Sequence, residues 1–134
     1  MRYLLDTNVC VVYLNGRSQS VRDRLLAIPI EEITVCSVVK AELFYGAFHS
    51  VNPARTLERQ RAFLSRFVSL AFDDEAALLA GLIRAKLASA GTLIGAYDLQ
   101  IAAIALASNL TVVTHNTREF ERVDGLQLED WEAD

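Results

Sequence analysis

Short apolar runs alternate with longer stretches of helical period along this chain. Residues 2–6, 33–36 (ITVC), 67–70 (FVSL) and 111–114 (TVVT) are each about strand length, and apolar at both odd and even positions. A strand covered on both faces reads this way, because the alternation of a half-exposed strand disappears when neither face meets water. Between the runs the pattern predicts helices. One covers 18–27 after Ser18 or Ser20 as N-cap, one 38–49 after Ser37, and one 54–66 after Pro53. Another covers 74–90, between Asp73 as N-cap and Gly91 as stop, and a last one 98–108, with Asn109 suited to end it. Strands alternating with helices imply an α/β fold, a parallel sheet with helices on both faces. There is no repeat, linker or low-complexity tract, so residues 1–134 read as one domain.

In such sheets ligands collect at the carboxyl ends of the strands. That rule singles out Asp6 at the end of the first run and Glu42 in SVVKAELFYGA. It also singles out Asp98 in IGAYDLQIAAIALA, and Asn116 and Glu119 in TVVTHNTREF. Two carboxylates ~5 Å apart repel by about 3 kcal/mol at an effective dielectric near 20. Several such pairs would consume much of a domain's stability of about 5–15 kcal/mol. The cluster survives if its members take up protons or hold a cation. Oxygen ligands alone are on offer, which selects hard ions: Mg²⁺ or Mn²⁺ ahead of Ca²⁺, since no Asp/Asn-rich loop wraps one ion.

Each acid also has a plainer role open to it. Asp6 can cap a helix starting near Thr7, and Glu42 can be a solvent-facing helical position. Asp98 can be an N-cap, although the helix after it has Gln100 as its one polar residue from Leu99 to Ala107. Asn116 and Glu119 have the spacing of a capping box. Arg55, Arg59 and Arg66 share one helical face, read as solvated or as phosphate-steering. Arg118 stands beside the acids, to touch phosphate or to pair with one of them.

Composition narrows the class. The chain is 52% hydrophobic and 22% charged, as folded proteins are. Its net charge of −4 argues weakly against non-specific coating of nucleic acid. No run approaches the ~18–20 apolar residues of a membrane span, and the first residues lack a secretory pattern, so no membrane is expected and the cytoplasm is the expected address. Cys10 and Cys36 read as small core residues rather than a disulfide framework or a metal site.

LLDTN, the S-x-V-x-x-x-E-L-x-x-G of SVVKAELFYG, the G-x-x-D of IGAYDLQIAA and the THNTREF ending resemble a PIN domain, and within it the VapC-type toxin ribonucleases of bacterial toxin–antitoxin pairs. The resemblance runs from residue 2 to the closing GLQLEDW. It implies a three-layer α/β/α sandwich and an RNA-cleaving site of acids with Mg²⁺ or Mn²⁺. Asp6 and Asp98 match the main metal ligands, Glu42 the third acid, and Glu119 the acid that some relatives place within NTREF. Thr7 and Asn8 match a polar pair bracing the first aspartate, and Ser37 a small hydroxyl near the site. Leu93 and Ala96 stand where prolines are usual, loosening the loop into Asp98, and Asn116 replaces an aspartate, lowering the site's charge.

The implied chemistry is hydrolysis of RNA, with transfer RNA a candidate target, by a metal-activated water. Asp6, Asp98 and Glu42 would hold the ion, and Glu119 would position or deprotonate the nucleophile. The implied partners are an RNA substrate, a VapB-like antitoxin and a second copy in a homodimer. Val12, Leu25 and Phe44 could serve those contacts or the core, and Tyr45 and Tyr97 could meet unstacked bases or pack inside. A catalytically inactive PIN scaffold that binds RNA or protein is the alternative. A haloacid-dehalogenase-type phosphatase would need a second aspartate where Asn8 stands, and a receiver module an acidic pair after the first strand.

Overall fold

The run at residues 2–6 becomes the central strand of a five-stranded sheet. The computed structural model describes residues 1–132. In chain order the elements are β1 (Tyr3–Leu5), α1 (Thr7–Asn15), α2 (Gln19–Ala27), β2 (Ile33–Cys36), α3 (Ser37–Phe48), α4 (Pro53–Leu64) and β3 (Val68–Leu70). There follow α5 (Asp74–Ala90), α6 (Ala96–Ala107), β4 (Thr111–Val113), α7 (Thr117–Phe120) and β5 (Leu128–Glu129). The strand order is β3-β2-β1-β4-β5 and every pairing is parallel. The chain therefore steps outward from β1 through β2 to β3, then crosses back to β4 on the other side of β1. Right-handed crossovers in opposite directions put helices on opposite faces, which makes the three-layer sandwich.

The apolar runs are buried where two faces are covered. Leu4, Leu5, Val35, Val112 and Val113 are fully buried, each burial contributing ~1.5–3 kcal/mol. Thr34 is buried with them, and its hydroxyl donates to the Tyr3 carbonyl at 2.7 Å. Cys10 and Cys36 lie in the core as free thiols. Near the end of the described chain, Trp131 is buried edge-on against Tyr3, with ring centroids 5.2 Å apart. Its indole N–H donates to Glu129 at 3.1 Å, and the Ser20 hydroxyl donates to its carbonyl at 2.8 Å. The closing segment is thereby pinned to both β1 and α2.

The caps follow the residues expected. Ser18 accepts from the Val21 amide, Asp73 accepts from the Ala76 amide, Pro53 opens α4, and Gly91 and Asn109 adopt positive φ after α5 and α6. Several expectations are corrected. The run 67–70 gives an edge strand with Val68 53% exposed, because nothing covers its outer side. Ser37 lies inside α3, whose N-cap is Cys36 with no side-chain cap bond. The helix that Asp6 could cap does form: α1 begins at Thr7, buries Val9 and Cys10 and exposes Val11. Arg66 falls beyond the end of α4 and lies over the Phe67 ring, and Arg59 donates to the Leu14 carbonyl at 2.7 Å, closing the end of α1. Leu25 belongs to the core, and Phe44 packs partly buried against it. No described helix is long and apolar enough to cross a membrane.

Candidate active site

The crossing point of the topology lies between β1 and β4, and there the chain places Asp6 and Thr114, each directly after its strand. Crevices at such points are where open parallel sheets bind ligands. Asp6 is 3% exposed and serves as N-cap of α1. One carboxylate oxygen accepts the Thr7 amide at 2.8 Å and the other accepts the Thr114 hydroxyl at 2.9 Å. Burial nonetheless pushes its pKa up, the two hydrogen bonds oppose that, and the charges of Glu42 and Glu119 add to it. The same side chain thus caps α1 and holds a carboxylate at the crossing point.

The other acids arrive on three helices. Glu42, in the second turn of α3, accepts the Thr7 hydroxyl at 2.7 Å. Thr7 so links the two carboxylates, its amide to Asp6 and its hydroxyl to Glu42. Asp98 is the third residue of α6, because the helix starts at Ala96, two residues before the apolar run indicates, and Gly95 takes the N-cap position. Burial, a hydrogen bond with Glu119 and the charges of Asp6, Glu119 and Glu42 raise the Asp98 carboxyl to about 7. Glu119 moves the other way: hydrogen bonds from Asp98 and Asn116, with Arg122 nearby, hold it below its ordinary range. Of this pair Asp98 is therefore the acid that holds a proton more readily and Glu119 the one that stays ionised. Four acids from distant parts of the chain thus sense one another's charge in one crevice.

Some expected neighbours hold other positions. Asn116 and Glu119 do not form a capping box. The Asn116 amide donates to the Thr114 hydroxyl at 2.9 Å, and its side chain donates to Glu119 at 3.0 Å instead of capping α7. Asn8, Ser37 and Arg118 are exposed. Among the described residues, Thr7 and Thr114 are the hydrogen-bond partners of the Asp6 side chain. Thr114 and Arg122 are the contributors that the motifs miss. Arg122 also donates to the Leu93 carbonyl at 3.0 Å, anchoring the loop that lacks the usual prolines. Tyr45 and Tyr97 are exposed rather than packed inside.

The model of the family described as PIN domain matches residues 3–126. The chain belongs to the PIN domain family. The curated "tRNA(fMet)-specific endonuclease VapC" of Salmonella typhimurium is 40% identical to this PIN domain over 131 residues, 98% of each chain. The protein of the same name from Shigella flexneri is 42% identical over 131 residues, again 98% of each chain. Among solved structures, the crystal structure of DNA-bound VapBC from Salmonella typhimurium contains a chain that superposes with a TM-score of 0.92 at 40% identity, covering 98% of both chains. The PIN fold expected from LLDTN and the later motifs is the fold observed.

The donor set suits a hard divalent cation. It consists of carboxylates with hydroxyl support, the cysteines are buried in the core, and burial together with the neighbouring carboxylates raises the Asp98 pKa.

Proposed function

We propose that this PIN domain is a divalent-metal-dependent endoribonuclease, the toxin of a toxin–antitoxin pair. One observation carries the reading: at the crossing point of the sheet Thr7 ties Asp6 to Glu42, and Asp98 and Glu119 lie near enough to feel the same charges. Relatives named tRNA(fMet)-specific endonucleases support RNA, and initiator transfer RNA first, as the substrate. The VapBC complex among the structural neighbours supports a VapB-like antitoxin, and we read the toxin as a homodimer.

Asp6, Asp98 and Glu42 would hold the ion, which we take to be Mg²⁺ or Mn²⁺. Bound there, it supplies positive charge to the scissile phosphate and acidifies water. Asp6 is locked by Thr7 and Thr114 and sets the position of the crevice floor. Glu42 is oriented by the Thr7 hydroxyl. Glu119 is the acid held ionised, and its carboxylate would position the attacking water or take its proton. The Asn116 side chain donates to that carboxylate at 3.0 Å and fixes its orientation. Hydrolysis by water leaves a 5′-phosphate and a 3′-hydroxyl.

The test is cleavage of an initiator tRNA transcript by the purified chain. Cleavage should stop with EDTA, return with Mn²⁺ or Mg²⁺, and leave 5′-phosphate ends. Undiminished cleavage in EDTA, or by Asp6→Ala, refutes the reading.

A further inference from the structure

Two large aromatic rings stand in water beside the acids. Tyr97 is 58% exposed and directly precedes Asp98; Tyr45 is 70% exposed on α3, one turn after Glu42. Together with Ala41 and Glu42 they line one cavity of about 400 Å³. That is within the range of small-ligand sites, roughly 300–1,000 Å³. Its wall therefore holds a carboxylate of the crevice and two unburied rings. The Tyr45 ring is already fixed, lying nearly parallel to His49 one turn on, with centroids 5.6 Å apart and planes 11° from parallel.

An exposed ring gives up the ~1.5–3 kcal/mol that burial of an aromatic yields. Two such rings converging on one cavity mark a surface built for a planar, apolar-faced ligand. The surroundings select which one. The crevice is crowded with carboxylates and the chain is acidic overall, net −4, so an anionic backbone gains little from the bare surface. A nucleobase is uncharged, planar and attached to the phosphate being cut. Stacking holds single-stranded RNA without asking for positive charge.

Resting on the ribonuclease reading above, we propose that Tyr45 and Tyr97 form a base-stacking subsite, which takes one unpaired base flanking the scissile phosphate. The subsite selects RNA whose bases are free to leave a stack, and it sets the position of the phosphate against Asp98 and Glu42. Recognition by ring faces tolerates all four bases, so the preference is for unpaired strands more than for sequence.

Two measurements test it on Tyr45→Ala, Tyr97→Ala and Tyr97→Phe. In cleavage of a short single-stranded RNA with Mn²⁺, each alanine variant should raise KM by about tenfold, from the strength of one base–ring stack. Their kcat should stay within about twofold, and Tyr97→Phe should behave as wild type. In binding, the wild-type chain should quench the fluorescence of a single-stranded RNA carrying 2-aminopurine, and both alanine variants should lose the quenching. This second measurement requires no cleavage, so failure of the ribonuclease reading and failure of the subsite are separable. Unchanged KM with unchanged quenching in both alanine variants overturns the proposal. So does a fall in kcat alone, or a Tyr97→Phe as impaired as Tyr97→Ala. Wild-type chromatographic dimers that become monomers on Tyr45→Ala, with quenching intact, would assign the rings to a protein interface and equally overturn it.

Discussion

Replacing Asp98 with asparagine should stabilise the metal-free protein while destroying its activity. An asparagine amide can donate to Glu119 as the protonated Asp98 does, and it carries no charge to place beside Asp6 and Glu42. The wild-type carboxyl holds its proton up to about 7 instead of 3.8, which corresponds to about 4 kcal/mol at ~1.36 kcal/mol per pH unit. Because the side chain is only half-buried, water screens part of this and roughly 2 kcal/mol is the usable figure. The sign follows from the raised folded value. Below pH 3.8 the carboxyl is protonated in both folded and unfolded chains, and the cost is absent. As pH climbs, the unfolded chain loses the proton first, and the cost accumulates until about pH 7, above which it is constant. Thermal unfolding in EDTA should therefore show Asp98→Asn melting about 5–10 °C above wild type at pH 8, with the two curves converging near pH 4. Mn²⁺ at pH 8 should raise the wild-type melting temperature and move the variant far less. An equal gain at pH 4 and pH 8, or no gain at pH 8, would refute the picture of repulsion relieved by a proton.

Asp6→Ala should reduce RNA cleavage by at least ~100-fold, since it removes the acid at the crevice floor, as rates on the initiator tRNA transcript will show. Thr114→Val strips the buried Asp6 of its hydroxyl donor and leaves the part-buried Asn116 amide without its acceptor; chemical denaturation should show a loss of about 1–3 kcal/mol. Arg122→Ala should let the Glu119 pKa return toward the ordinary glutamate range, visible in carboxyl-carbon NMR titration, because it removes a cation that lowers it. Trp131→Ala should cost ~3–5 kcal/mol by opening a cavity against Tyr3. His115 should titrate above an ordinary histidine by proton NMR because Asp130 accepts from it, and Asp130→Asn should bring it back.

Asp6 was legible because it is a charge stranded between two apolar runs, and Asp98 because its helix has almost nothing else polar. Their meeting was legible from one topological rule about strand ends. Thr114 was not, because within TVVT it reads as the last residue of a strand. Only the pairing of β1 with β4 brings its hydroxyl to Asp6. Arg118 and Arg122 are indistinguishable by composition, yet they differ by geometry. Arg118 is adjacent to Glu119, whereas Arg122 is three residues on, the spacing at which side chains share a side of a helical turn. The Asn116–Glu119 spacing fits a capping box in sequence, and what defeats it is a competitor from outside the box, the Thr114 hydroxyl accepting the Asn116 amide. FVSL is as apolar as the central strands, and its exposure follows from being last in the sheet order, a property of the whole chain.

The position of the acids also lowers the cost of gathering them. Asp6 caps α1, Asp98 sits in the first turn of α6, and Glu119 in the first turn of α7. Helix N-termini carry partial positive charge, and each stabilises a nearby carboxylate by ~0.3–1 kcal/mol. That is smaller than the ~3 kcal/mol repulsion between one close pair, so the helices reduce the crowding of charge without removing it. Burial and the neighbouring carboxylates then raise Asp98 to about 7, so that this carboxyl holds a proton up to near neutrality. A cation binding at Asp98 must displace that proton, so binding should release one near pH 7 and strengthen as pH rises through that value.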